Sequence, residues 1–221
     1  MLLGHRGARR DTRENTLPAF DLCLEHGCDG FEFDVRRTAD GRAVVLHDAT
    51  LDGMAVAECD FSVLQTRSRE LFDEDLLRLE GVLERYSTSA FLDIELKVPG
   101  LEEAVVELVQ RHSFLRGYVV SSFLPAVVEA LRRRSAEVPT GFICDRSDLL
   151  PLWKSLPADV LVLHSSLISP ALLADAKKEG KRVFVWTVNR PEEMRRLAEM
   201  GADGVISDDT ALLCRTLGSS G

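Results

Sequence analysis

GFEFDVRRTADGRAVVLHD, residues 30–48, is the stretch from which the rest of the chain is read. Phe31, Phe33 and Val35 alternate with Glu32 and Asp34. That is the period of a β-strand, so both carboxylates leave it on the same face. Asp40-Gly41 is a turn signal, and Ala43-Val44-Val45-Leu46 resumes as a second extended piece ending at His47-Asp48. One local unit therefore carries two carboxylates and a histidine towards one rim. An isolated Glu-x-Asp reads as the wet face of an exposed strand. The surrounding chain decides otherwise.

Upstream, residues 1–4 form a short apolar strand ending at His5-Arg6-Gly7. A polar loop leads to Asn15 or Thr16, either of which can cap a helix with apolar positions Leu17, Phe20, Leu24 and Cys28. Downstream, residues 49–79 are irregular and polar. They read as a small insertion at 50–78, with a short helix from Asp60-Phe61-Ser62 through Leu64. AFLDIELK, residues 90–97, is the next strand, with Asp93, Glu95 and Lys97 opposite its apolar members. Regular alternation follows. Strands at 118–121, 140–144, 159–163, 182–188 and 202–206 are each followed by a helix, the last helix at 209–217, with a frayed tail at 218–221. Eight strands, each followed by a helical stretch, predict a single-domain (β/α)8 TIM barrel over 1–221. A doubly wound open sheet would show GxGxxG after the first strand, and HRGARR does not fit.

Composition excludes several classes. A net charge of -9 leaves no basic stripe for nucleic acid. No apolar run approaches the ~18 residues of a membrane span. Five cysteines are scattered without a CxxC, which points to reduced thiols in the cytoplasm. The first strand begins almost at Met1, leaving no room for a signal peptide before it.

In such a barrel the active site lies where strands end. Glu32, Asp34 and Glu95 converge there. Three carboxylates at one rim repel one another unless a cation neutralises them. Oxygen-only donors select Mg2+ or Ca2+ over zinc. The plainer alternative pairs Glu95 with Lys97 and Glu32 with Arg36 as ordinary ion pairs; the set of three favours a metal. His5 and His47 form a candidate acid–base pair. His26 and His112 lie near helix C-termini, where a partly positive ring suits the dipole. His164 ends a strand but has no motif around it. Arg6 and Lys97 supply positive charge for a phosphate. Trp186 reads equally well as a flat wall at the rim or a core residue. Gly201-Ala202-Asp203-Gly204 reads as a helix C-cap followed by a strand rather than a phosphate loop. No serine or cysteine has a base in a motif beside it, so the nucleophile is water or a hydroxyl of the substrate itself.

Taken together, HRG at His5–Gly7, ENT at Glu14–Thr16, ExD at Glu32 and Asp34, HD at His47-Asp48 and ELK at Glu95–Lys97 resemble the glycerophosphodiester phosphodiesterases. SSF at Ser121–Phe123, WTVN at Trp186–Asn189 and GADGVISD at Gly201–Asp208 extend the likeness nearly end to end. The resemblance implies metal-dependent hydrolysis of a small glycerophosphodiester to glycerol 3-phosphate and an alcohol. It implies one divalent cation on Glu32, Asp34 and Glu95, His5 and His47 as the catalytic pair, and Arg6 and Lys97 on the phosphate. The departure lies between Thr50 and Arg78, where the insertion is short and LLRLEGVL replaces an IPTLEEVL-like helix start. A lysophospholipase D or cyclising lyase on the same scaffold is the alternative. It needs an apolar groove, for which Met54, Phe61 and Phe72 are the candidates. A non-catalytic phosphate-binding barrel would lack a histidine or a carboxylate, and this chain keeps them all.

Overall fold

The strand expected in residues 30–48 forms as Gly30–Arg37 (β2), buried from Gly30 to Val35. In the computed structural model, which describes residues 1–218, Leu2–His5 (β1) and Phe91–Leu96 (β3) pair with it, both parallel. Tyr118–Ser122 (β4), Thr140–Cys144 (β5), Val160–His164 (β6), Arg182–Trp186 (β7) and Gly204–Ser207 (β8) continue in chain order. β8 then pairs with β1 at Leu2↔Val205 and Leu3↔Ile206, which closes the sheet. This is the eight-stranded barrel that the alternation predicts. Of the tail expected at 218–221, residues 219–221 lie outside the described residues.

Helices Leu17–Glu25 (α1), Leu79–Tyr86 (α3), Glu102–Gln110 (α4), Pro125–Arg134 (α5), Pro170–Lys178 (α6), Pro191–Glu199 (α7) and Thr210–Leu217 (α8) follow their strands; Phe61–Phe72 (α2) belongs to the insertion. Between the two candidate caps of α1, Thr16 takes the role: its hydroxyl accepts the Ala19 N–H. Asn15 sits just before it with a left-handed backbone. No helix among the described residues is long and apolar enough to cross a membrane.

Alternation along the strands divides the core in two. Phe31 and Phe33 point outwards, where Phe31 stacks on Phe20 of α1 at 4.1 Å and meets the Tyr86 ring of α3 edge-on. Leu3, Phe91, Val119, Val160, Phe184 and Ile206 point inwards and fill the barrel below the strand ends. The carboxylates of β2 and β3 therefore stand above an apolar floor.

Two elements differ from the sequence expectation. α2 runs for twelve residues rather than stopping near Leu64. It buries only Leu64 and Ser68, so its apolar stripe is too thin to register as a helical period. Asp73, left-handed at φ 55°, ends it. A small separate core of Val44, Leu51, Val56, Leu64 and Leu76 lies under this segment. The helix expected at 149–155 is a 3-10 helix, Leu150–Lys154.

Gly30 begins β2 where Phe91 passes closest. A Cβ at Gly30 would lie 1.8 Å from the Phe91 carbonyl oxygen, and a backbone atom cannot yield as a flexible side chain can. Gly30→Ala should therefore cost about 3 kcal/mol or more, the upper end of overpacking penalties. Urea unfolding of the variant measures this; a loss below about 1 kcal/mol would contradict the close approach.

Candidate active site

In the β2–β3 register Glu32 lies opposite Asp93 and Asp34 opposite Glu95. All four carboxylates face the barrel interior, in two layers. Glu32, Asp34 and Glu95 are buried, and each offers an oxygen within 4.8 Å of the others. Lys97 Nζ lies 2.7 Å from Glu95 Oε1 and 3.3 Å from Asp34 Oδ1. Arg6 Nε lies 3.1 Å from Asp34 Oδ2. Of the two ion pairs weighed against a metal, Glu95–Lys97 is present. Arg36 turns instead to the His47 carbonyl, donating from Nε at 2.7 Å. Glu32 Oε1 is buried without a hydrogen-bond partner.

The local backbone follows from this charge cluster. Arg6 has φ 57°, uncommon for a residue with a side chain and a form of strain that gathers at functional sites. Its N–H donates to Glu32 Oε2 at 3.1 Å, and its guanidinium Nη1 donates to Glu14 at 2.8 Å. Asn15 donates from Nδ2 to Asp34 Oδ2 at 2.8 Å, and its own N–H donates to the Arg6 carbonyl. The loop after β1 is thus folded onto the carboxylates of β2.

Two cationic side chains, Arg6 and Lys97, face three carboxylates, and the imbalance appears in their acidities. Burial pushes Asp34 up, but Lys97, Arg6 and Asn15 outweigh it and hold its pKa below the ordinary value. Burial, then repulsion from Asp34 and Glu95, drives Glu32 well above. Glu95 is raised by the same two causes, burial and Asp34. Asp93, one layer deeper, is pushed up to about 7, chiefly by burial; Ser121 Oγ donates to its Oδ1 at 2.5 Å.

Both candidate catalytic histidines are held by an aspartate. His5 Nδ1 lies 2.7 Å from Asp208 Oδ1, with its Nε2 3.9 Å from Glu32 Oε2. Asn189 Nδ2 donates to the other Asp208 oxygen at 2.7 Å. His47 Nδ1 lies 2.8 Å from Asp48 Oδ1. A carboxylate at Nδ1 takes the proton-bearing side of a neutral imidazole and leaves Nε2 to face the pocket. Burial lowers the pKa of His5, against the opposing pull of Asp208. The other three histidines are engaged elsewhere. His26 caps α1 and meets Thr210 Oγ1 at 2.8 Å; His112 turns its Nδ1 to the Leu108 carbonyl. His164 meets Ser166 Oγ at 2.8 Å and sets its ring edge-on to Trp186.

One pocket gathers these groups. His5, Arg6, Glu32, His47, Glu95 and Lys97 form its charged side; Phe123, Ile143, Val162, Trp186 and Ile206 form its apolar side. Asp34 is 1% exposed and sits behind the charged wall. Trp186 is half-buried in the lining, with Nε1 donating to the Val162 carbonyl at 3.2 Å and its ring edge-on to Phe123. Among the described residues, no serine or cysteine lines the pocket. The nearby hydroxyls are committed, Ser121 to Asp93 and Ser122 to the Leu96 carbonyl. Met54, Phe61 and Phe72 do not line it either; the Arg13 guanidinium lies 3.7 Å over the Phe72 ring.

Sequence reasoning gave no site role to Asp208, Asn15, Asp48 or Phe123, and read Asn15 only as a candidate cap of α1. Asp208 is the first residue after β8, and Phe123 continues the inward alternation of Val119 and Ser121 in β4. Those positions carried the signal, but partners two hundred residues apart are set only by barrel closure.

The comparisons with known proteins agree with this geometry. The model of the glycerophosphoryl diester phosphodiesterase family matches residues 5–116 and 101–212. A glycerophosphodiester phosphodiesterase of Caldanaerobacter subterraneus subsp. tengcongensis is 30% identical over 100% of this chain and 99% of its own. The crystal structure of the glycerophosphodiester phosphodiesterase of Thermotoga maritima superposes with a TM-score of 0.82 at 28% identity, covering 97% of this chain and 96% of that one. That of Agrobacterium tumefaciens gives 0.83 at 26%, covering 97% and 98%. The chain belongs to the glycerophosphoryl diester phosphodiesterase family.

Proposed function

We propose that the pocket hydrolyses a small glycerophosphodiester to glycerol 3-phosphate and an alcohol, using one divalent cation, Mg2+ or Ca2+, held by Glu32, Asp34 and Glu95. The observation that carries this is the buried trio, with ligand oxygens within 4.8 Å and Glu32 Oε1 without a partner. The donors fit such an ion: all are hard oxygens, and the two cationic side chains beside them leave negative charge uncompensated. When bound, the ion supplies Lewis-acid chemistry, polarising phosphoryl oxygens and lowering the pKa of a coordinated hydroxyl.

The remaining steps belong to side chains. Arg6 and Lys97 stand beside the trio, where a phosphate bearing on it meets two further positive charges. His5 is the deeper histidine, its side chain 14% exposed against 34% for His47. Neutral through burial, and held by Asp208, it takes the proton of the attacking hydroxyl at Nε2. His47, at the mouth, is oriented by Asp48 and gives a proton to the leaving alcohol, which departs towards solvent. Trp186 and the apolar side exclude water from the reacting phosphate. We further propose that residues 1–221 act as one domain with 50–78 as an insertion, and that the enzyme works in the cytoplasm on small molecules rather than nucleic acid. Its five free cysteines and net charge of -9 support that setting.

Among the described residues the pocket lining holds no hydroxyl or thiol nucleophile, which favours attack by the substrate's own 2-hydroxyl. Intramolecular attack avoids the entropy of positioning a separate water. A five-membered cyclic glycerophosphate then forms, and water opens it in a second step.

Chelation should abolish release of glycerol 3-phosphate from glycerophosphocholine, and Mg2+ or Ca2+ should restore it. In metal-free protein Glu32→Gln should raise Tm by roughly 2–4 °C at neutral pH, since a raised carboxyl pKa means ionisation opposes folding there. Full turnover in EDTA, or a lower Tm for the variant, would overturn the metal site.

His5→Ala and His47→Ala should each lose ~10²–10⁴-fold in kcat, while His26→Ala and His112→Ala stay near the parent rate. His5 as base must be neutral, and burial lowers its pKa. The acid limb of kcat/KM should therefore fall below the ordinary histidine value of 6.5. A limb well above that value would remove His5 from the role of base.

A 2-deoxy analogue of glycerophosphocholine should bind comparably and resist cleavage. Turnover at the natural rate would show direct attack by water.

A further inference from the structure

The five cysteines are scattered in sequence, yet two of them meet in the fold. Cys28 lies in the turn between α1 and β2, and Cys214 lies on α8. They are 186 residues apart, and their Sγ atoms are 3.5 Å apart. Cys28 stands two residues before β2 starts, at the end of the barrel away from the pocket. A second contact between the same segments, His26 Nδ1 to Thr210 Oγ1 at 2.8 Å, holds α8 against the end of α1.

We propose that Cys28 and Cys214 form a reversible disulfide that locks the last helix onto the first βα unit, with a small-molecule disulfide as the oxidant. A disulfide bond is about 2.05 Å long, so the sulfurs have roughly 1.5 Å to close, within reach of side-chain rotation and a slight shift of α8. Cys214 is half-buried and Cys28 only 7% exposed, so the oxidant meets Cys214 first. The Cys214 thiolate attacks one sulfur of the small disulfide. A mixed disulfide forms and one small thiol leaves. The Cys28 thiolate then attacks the Cys214 sulfur, and the second small thiol leaves. Two electrons pass from the protein sulfurs to the small disulfide, and the two protein protons end on the released thiols.

Cys23 is the nearest rival, but it is wholly buried, and its Sγ donates to the Gly30 carbonyl at 3.3 Å. The contact with Cys28, together with burial, raises the pKa of Cys214. Thiolate is scarce at neutral pH, and the link forms slowly. The cross-link spans the seam where β8 meets β1. It closes a loop that takes in most of the chain, and long loops are where a cross-link most restricts the unfolded ensemble. This inference is independent of the reaction assigned to the pocket.

The test uses the full chain, incubated overnight at pH 8 with oxidised glutathione and then freed of it. Thiols titrated in denaturant should fall from the five in the sequence to three. Digestion with trypsin and a Glu-specific protease cuts after Glu25 and so separates Cys23 from Cys28. The non-reduced digest should contain the Cys28–Cys214 peptide pair. Tm should rise by roughly 5 °C or more and return to its starting value in dithiothreitol. Cys28→Ser should show no oxidant-dependent rise; if that variant does not fold, the mapping on the parent chain decides. Five thiols retained, a stable glutathione adduct, a Cys23–Cys28 link, or an unchanged or lower Tm would each overturn the proposal.

Discussion

The structure turns on the register between β2 and β3. Pairing Glu32 with Asp93 and Asp34 with Glu95 stacks four carboxyl groups inside a barrel whose floor is apolar. Charges in such surroundings interact far more strongly than in water. The neighbouring features answer that repulsion. Lys97 bridges Asp34 and Glu95. The loop after β1 bends through the left-handed region so that the Arg6 N–H can reach Glu32 and Asn15 can reach Asp34. Asp93, without a cation in contact, has its pKa raised to about 7, and Ser121 donates to it. One-residue slippage of β3 would turn Glu95 out of the barrel and Ile94 in, so the site and the fold are specified by the same pairing.

Barrel closure is the second dependence. His5 ends β1, Asp208 follows β8, and Asn189 lies beyond β7. Their hydrogen bonds exist only because β8 pairs with β1. A barrel that closed poorly would keep the carboxylates of β2 and β3 but lose the orientation of His5. The two halves of the site therefore rest on different parts of the fold: charge on the β2–β3 pair, the orientation of His5 on the seam.

The sequence was most legible where chemistry and periodicity agree. Glu32 and Asp34 alternate with Phe31, Phe33 and Val35, and that pattern is enough to place both carboxylates on one face, which the barrel reading of the whole chain then turns towards the strand ends. The eight strands stand out because each is a run of buried apolar residues bounded by turn signals. Of α2 only the first turn was legible, for the opposite reason. With only Leu64 and Ser68 buried, its surface carries charged pairs such as Arg67 with Glu70 and Arg69 with Asp75, which leave no apolar period. Asp208 was illegible as a partner of His5 because nothing local couples residues at opposite ends of a chain. The Cys28–Cys214 contact escaped for the same reason. Spacing motifs detect cysteines that are neighbours in sequence, and this pair is made neighbours by closure.

The two faces of the pocket explain why charge can be concentrated there at all. Phe123, Ile143, Val162, Trp186 and Ile206 offer no side-chain oxygen that could draw Arg6 or Lys97 away from the carboxylates; on that side the Lys97 Nζ meets only the Phe123 ring, at 5.6 Å. A molecule entering between the faces meets a charged wall on one side and a surface suited to carbon on the other. The cost is a cluster of carboxylates whose mutual repulsion is buried at the open end of the barrel. The opposite end carries the compensating order: the tight Gly30–Phe91 crossing, the interleaved rings of Phe91 and Phe184, and the contacts that tie α8 to the first βα unit. Strain and stability are thus separated along the barrel axis, and substitutions at one end can alter chemistry without loosening the other.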